Sequence, residues 1–123
     1  MDSLAVLCAH LSGDFILQTD WMARNKSQRP WLGAKQNAAC FIHCAIYTSV
    51  MYAACFHWIT ATGIVACFVA HFAIDRTRFA KKHMEMFGQR DFSNGPLSPW
   101  SIVVVDNTMH LLTILLIWGF CRG

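Results

Sequence analysis

The sequence predicts an all-α integral membrane protein, a bundle of four transmembrane helices. Hydrophobic residues make up 55% of the 123 residues and charged residues only 14%, an apolar share well above that of a soluble domain. Four apolar segments approach the roughly 20 residues that a helix needs to cross the bilayer core. They cover about residues 2–22, 36–57, 60–79 and 99–120. Together they account for most of the chain, so residues 1–123 are interpreted as a single transmembrane domain.

The first apolar segment is interpreted as a retained helix rather than as a cleaved signal peptide. It has no basic region at its start, it carries Asp2, His10 and Asp14, and Asp20 and Trp21 stand where a small-residue cleavage site is expected. The second and third segments are separated only by a tight turn within residues 57–62. The fourth follows a longer connection that ends in helix-breaking glycine and proline residues.

The basic residues predict how the bundle is oriented. Nine of the ten lysines and arginines lie in, or directly before, two connections at about residues 23–35 and 80–98. Since positive charges collect on the cytoplasmic side, both connections are predicted to be cytoplasmic and both termini to lie on the outer, periplasmic side. The basic run RTRFAKK is expected to contact anionic lipid. It lacks aromatic interleaving of the kind found in nucleic-acid-binding proteins, so it does not indicate nucleic-acid binding.

Ionisable residues recur at one spacing inside these apolar segments. Three segments each carry a histidine and an aspartate four residues apart, which places both side chains on one face of a helix. The pairs are His10 with Asp14, His71 with Asp75, and Asp106 with His110. The second segment adds His43. Because ionisable groups are expensive inside a membrane, such residues indicate a functional site.

These seven groups also share a depth in the predicted topology. Counted from the cytoplasmic end of each helix at about 1.5 Å per residue, five of them lie within roughly 15 Å of the cytoplasmic boundary: Asp14, His43, His71, Asp75 and Asp106. Helix tilt is large enough to absorb the spread. The four helices are therefore predicted to present one polar centre that faces the cytoplasm.

Imidazole and carboxylate groups without a majority of thiolates predict a divalent metal, with zinc first and iron or manganese as alternatives. The six cysteines are scattered through apolar segments and are expected to be buried hydrophobic residues. The predicted catalytic carboxylates are Asp14, Asp75 and Asp106, which divide the roles of ligand, orienting partner and general base. Seven groups are more than one tetrahedral metal ion can bind. Either two metal ions share the site, or some of the groups orient the ligands without binding metal. A metal-free polar relay and a purely structural cluster are further alternatives.

Two more polar residues are candidates for the mouth of this centre. Gln18 lies one turn beyond Asp14 on the same face, where it can hydrogen-bond a substrate. Lys26 follows shortly after and can attract an anionic headgroup or a phosphate. The alternative for both residues is ordinary solvation at the membrane surface.

Several fragments together resemble a known family. These are HLSGDFILQTDWMARNKS, an isolated membrane histidine at His43, HFAIDRTRF, and DNTMH near the carboxyl terminus. They resemble the small membrane proteins of bacteria and their phages grouped as domain of unknown function 3307, over nearly the whole chain. The resemblance implies an inner-membrane protein that carries the seven centre residues and Gln18. Asn107 departs from the pattern, since the family is expected to have glutamine there.

The first hypothesis is a multi-pass inner-membrane protein acting as a metal-dependent hydrolase. Its substrate would be amphiphilic, or a small cytosolic compound that enters from the basic side. The alternative is a non-enzymatic membrane module with a structural metal or polar relay, such as a small channel or transporter subunit, or a phage factor acting on a host membrane protein. Expected partners are the lipid bilayer and a second copy of the chain. A metal that only staples the bundle is a third hypothesis.

Overall fold

A computed structural model describes residues 3–121 of the protein, and this part of the chain contains helices and no strands. The elements are α1 (Ser3–Leu11), a π-helical turn (Ser12–Ile16), α2 (Asp20–Asn25), α3 (Ala34–Cys55), α4 (Ala61–Thr77), α5 (Phe79–Met86), α6 (Arg90–Asn94) and α7 (Trp100–Cys121). The all-α prediction is confirmed. Residues 1, 2, 122 and 123, including the predicted start of the first helix at residue 2, lie outside the described residues.

The first predicted helix, residues 2–22, differs most from the structure. The helical path that starts with α1 ends at Ile16, and α2 is a separate short helix. Thr19 causes the break: its backbone is extended, and its hydroxyl accepts a hydrogen bond from the Met22 amide (3.3 Å) as the N-cap of α2. The helices near residues 36–57, 60–79 and 99–120 begin and end within about two residues of the predicted positions.

Helix α4 ends at a strained residue. Arg78 takes the left-handed conformation (φ 55°, ψ 42°), and its amide donates to the carbonyl of Asp75 (3.3 Å). This conformation costs a residue other than glycine roughly 1–2 kcal/mol. The bend separates α4 from α5, which packs against α7 and buries Ala80 and Met84. The basic run RTRFAKK therefore spans this bend, and its last four residues belong to α5.

The bundle buries polar side chains at one end and exposes many large apolar side chains on its surface. Helix α3 is central and packs against α1, the π-turn, α2 and α4, while α4 packs against α7. The buried residues include four histidines, two aspartates and Arg76. Large apolar side chains cover the outside, among them Phe41, Val65 and Leu116. An apolar cluster around Met51 and Ile114 fills the other end of the bundle.

Two of the described helices, α3 and α7, have the length and apolar composition that crossing a membrane requires. The segment Ser3–Ile16 is apolar but shorter, because the chain leaves the helical path before Thr19. Helix α4 has 17 residues, because Arg78 ends it. By this criterion the structure has two candidate spans, whereas the sequence analysis predicts four.

Candidate metal centre

Six of the seven predicted centre residues surround one point in the polar end of the bundle. The π-turn contributes Asp14, α3 contributes His43, α4 contributes His71 and Asp75, and α7 contributes Asp106 and His110. All are buried except Asp106, whose side chain is 25% exposed. The structure therefore brings together residues from four separate helical elements, up to 96 positions apart in sequence.

The innermost part is a triangle of ligand-type atoms. His43 Nε2 lies 3.1 Å from His71 Nε2, and Asp14 Oδ1 lies 3.2 and 3.3 Å from these two nitrogens. Bonds of about 2.0–2.1 Å in a tetrahedral site place ligand atoms about 3.3 Å apart, which matches all three separations. Asp14 Oδ1 makes no well-aligned hydrogen bond with the described residues, although it is buried. An oxygen placed in this way can bind a cation together with the two nitrogens.

Asp75 and Lys26 close one side of the triangle. Asp75 Oδ2 lies 3.2 Å from His43 Nε2 and 3.3 Å from His71 Nε2, and it accepts a 2.7 Å hydrogen bond from Lys26 Nζ. Burial disfavours a charged amine, but the carboxylates of Asp75 and Asp14 outweigh it and raise the pKa of Lys26. Lys26 is therefore positively charged. Its ammonium also lies 3.2 Å from His43 Nε2, the nitrogen that a metal would use.

A second group of ligand-type atoms adjoins the first through the same carboxylate. His110 Nε2 lies 3.1 Å from Asp75 Oδ1 and 3.4 Å from Asp106 Oδ2. The two oxygens of Asp75 thus face the triangle on one side and the α7 pair on the other.

Cys44 also has its thiol within 4.8 Å of ligand-type atoms of His71 and Asp75. The expectation that the cysteines are buried holds for four of the six, including Cys44.

His10 lies beside the centre, with both ring nitrogens engaged elsewhere. Its Nε2 is 2.9 Å from Asn107 Oδ1, and its Nδ1 is 2.8 Å from the Tyr47 hydroxyl. An amide oxygen only accepts, so Nε2 carries the proton and Nδ1 accepts from Tyr47. The Asn107 amide is held in this orientation by donating to the Val103 carbonyl. His10 therefore supports the centre, and Asp14 Oδ2 is 3.6 Å away from its Nδ1.

Tyr47 also packs against the histidines of the centre. Its ring stacks on His71 with 3.8 Å between centroids, and His71 stacks on His110 at 4.0 Å. All three side chains are buried. The stack constrains the plane of the His71 ring and thereby the direction of its Nε2.

The π-turn explains why Asp14 and His10 have different partners despite their spacing of four. The Leu17 amide donates to the Ser12 carbonyl five residues earlier (3.0 Å), and such turns are rare and common at functional sites. Gly13 allows the turn to approach α3, since a Cβ there would lie 2.7 Å from Tyr47 Cδ2. The wider turn directs Asp14 toward His43 while His10 stays with Tyr47.

Arg76 positions the connection that carries Lys26. Its buried guanidinium donates to the carbonyls of Gln28, Pro30 and Trp31 and to Asn37 Oδ1, over 2.6–2.8 Å. Sequence analysis counts this arginine among the lipid-facing basic residues, but it is only 5% exposed. It is instead the anchor of the segment between α2 and α3.

A cavity of about 430 Å³ reaches the centre from outside. Asp14, Asp75 and Asp106 line its inner part, and both predicted mouth residues, Gln18 and Lys26, line it as well. Water and small polar groups can therefore approach the three carboxylates. This access distinguishes the centre from a sealed polar core.

Comparison with known proteins identifies the family. Residues 3–122 match the family described as a protein of unknown function, DUF3307. The chain belongs to this family. The match confirms the resemblance seen in the fragments around Asp14, His43, His71 and His110. No curated protein and no solved structure matches this DUF3307 chain.

Sequence reasoning missed three residues that shape the site of this DUF3307 protein. Arg76 has no titratable residue three or four positions away that would indicate a role, whereas Asn107 precedes His110 by three. Tyr47 does follow His43 by four residues, so it shares its face of α3. That spacing was the available signal.

Proposed function

We propose that this protein is an inner-membrane, metal-dependent hydrolase whose centre faces the cytoplasm. The preferred metal is zinc, with iron and manganese as alternatives. The observation that carries the proposal is the triangle of Asp14 Oδ1, His43 Nε2 and His71 Nε2, with sides of 3.1–3.3 Å. Three protein ligands with a remaining open position are typical of catalytic zinc sites.

The outer surface supports placement in a membrane. In water, contiguous apolar surface of this extent would drive aggregation, whereas lipid solvates it. Phe41, Val69 and Leu116 are each more than half exposed, on α3, α4 and α7 respectively. The four-helix bundle with both termini outside is the arrangement that leaves the two basic connections in the cytoplasm. In this arrangement α4 and the segment Ser3–Ile16 are short spans beside α3 and α7.

Charge supports a bound cation. Asp14, Asp75 and Asp106 bring three negative charges to the centre and Lys26 brings one positive charge. With neutral histidines the centre therefore carries a net charge of −2, which is costly in a low-dielectric interior. One divalent ion neutralises it.

The proposed roles follow from the position of each residue. His43, His71 and Asp14 hold the ion, and Asp75 is the adjacent carboxylate that either completes the shell or orients His110. Asp106 is the general base, because its side chain is the exposed carboxylate in the cavity. A metal here supplies Lewis acidity and lowers the pKa of water. His10 acts through Tyr47 and Asn107 rather than as a ligand.

The competing proposal is a non-enzymatic membrane module with a metal-free polar relay. The Lys26–Asp75 ion pair supports it, because an ammonium already neutralises one carboxylate and contacts His43. In that case protonated histidines balance the remaining charge, and the network serves a channel, a transporter subunit or a factor that binds a host membrane protein.

Metal content separates the two proposals. Protein extracted in mild detergent and analysed by elemental mass spectrometry should contain about one zinc per chain on the metal proposal. Asp14→Ala and His71→Ala should lose it, whereas Asp20→Ala, which removes an exposed carboxylate, should retain it. Wild-type protein without stoichiometric metal, also after incubation with zinc, iron or manganese, would overturn the proposal.

A further inference from the structure

The cavity beside the centre has a basic rim. Three cations line it, Lys26, Arg78 and Lys81, together with the carboxylates of Asp14, Asp75 and Asp106. The three negative and three positive charges of these side chains thus cancel when no ion is present. A divalent ion at the centre gives the cavity a net charge of +2. The metal-loaded cavity therefore attracts anions.

Arg78 is the rim cation with the fewest competing partners. Lys26 is bound to Asp75, and Lys81 approaches Glu85 at 3.8 Å. Arg78 has no ion pair with any residue of the described chain. A guanidinium presents several donors in one plane, which suits the oxygens of a phosphate group.

The backbone of Arg78 gives a second, independent reason to assign it a role. It is the one non-glycine residue with positive φ within residues 3–121. Glycine or asparagine would take this conformation more readily. Strained backbone conformations cluster at functional sites, and Arg78 lines the cavity next to the polar centre.

One wall of the same cavity is apolar. Phe15 from the π-turn and Ile102 and Val103 from α7 line it, and Phe15 is half exposed. The cavity thus offers cations for an anionic group and apolar side chains for a hydrocarbon chain.

We propose that the cavity binds a phosphate-bearing amphiphile, with the phosphate against Arg78 and the hydrocarbon chain along Phe15, Ile102 and Val103. This inference rests on the proposed function, because the hydrolysed group is then held beside the metal. A soluble phosphate shares the anionic chemistry but lacks the chain. Arg78 is a specificity-determining residue, with Lys81 beside it.

The test is a binding titration of the zinc-loaded protein in a non-ionic detergent, followed by phosphorus NMR. The probes are dodecyl phosphate and inorganic phosphate. Arg78→Gln should weaken dodecyl phosphate binding about tenfold or more, because a charged hydrogen-bond donor is lost. Arg24→Gln is the matched control, since Arg24 is exposed and lies outside the cavity. Arg78→Gly should weaken binding equally while it relieves the backbone strain.

The outcomes separate this inference from the proposed function. Dodecyl phosphate binding that depends on Arg78 and exceeds inorganic phosphate binding by tenfold supports the inference. Equal effects of Arg78→Gln and Arg24→Gln, or equal affinity for the two probes, overturn it. Zinc content is measured in the same samples. If dodecyl phosphate does not bind but zinc is retained, this inference fails and the proposed metal centre does not. If binding depends on Arg78 but no zinc is present, the anion site is supported and the metal centre is not.

Discussion

Replacing Lys26 by methionine distinguishes a metal centre from a metal-free network. Lys26 Nζ lies 3.2 Å from His43 Nε2, and an ion bound to that nitrogen at about 2.0–2.1 Å would lie within about 5 Å of the ammonium. At an effective dielectric constant of about 20, a divalent ion and one positive charge at that separation repel by about 7 kcal/mol. The flexible lysine side chain, 16% exposed, relieves most of this repulsion by moving away.

We therefore expect Lys26→Met to tighten zinc binding at least tenfold, or about 1.4 kcal/mol. Without metal the same variant should lose about 3–5 kcal/mol of stability, because Asp75 stays buried without its partner. Competition with a fluorescent chelator measures zinc affinity, and thermal unfolding with and without zinc measures stability. Lys35→Met removes an exposed lysine as the control. Zinc affinity unchanged or weakened in Lys26→Met relative to Lys35→Met would refute the reasoning.

Four further variants test other parts of the account. Tyr47→Phe leaves His10 Nδ1 without its donor, so thermal unfolding should show a loss of about 1–3 kcal/mol with zinc retained. Arg76→Gln breaks the anchor of the first connection and should cost at least about 3 kcal/mol by the same measurement. Arg78→Gly should raise stability by about 1 kcal/mol. Asp106→Asn should keep the zinc content while abolishing hydrolysis of an alkyl phosphate. If this variant still hydrolyses the substrate, Asp106 is not the general base.

Helical spacing predicted the composition of the centre because it is a local property. His71 and Asp75 lie on one continuous helix, so their separation of four residues placed both side chains on the same face. Depth along each helix then indicated which faces can meet. In the structure, His43 and His110 both lie within 3.2 Å of Asp75 oxygens. The family was also recognisable, because its fragments are continuous in sequence.

The features that the sequence did not predict arise from non-local contacts and from irregular backbone. The π-turn before Leu17 changes the direction of Asp14 relative to His10, and no hydrophobic period reveals such a turn. Lys26 reaches Asp75 across 49 positions because Arg76 anchors the intervening connection. Only the folded chain shows that pairing. Likewise, the break at Thr19 depends on a capping bond that competes with continuing the helix.

Anomalous diffraction from crystals of the purified protein, recorded on both sides of the zinc, iron and manganese absorption edges, tests the central claim most directly. The account predicts one strong peak in contact with Asp14 Oδ1, His43 Nε2 and His71 Nε2, at about 2.0–2.2 Å if the ion is zinc. The peak should be absent in His71→Ala. Wild-type crystals grown with added metal that show these three side chains well ordered and no anomalous peak between them would contradict the account.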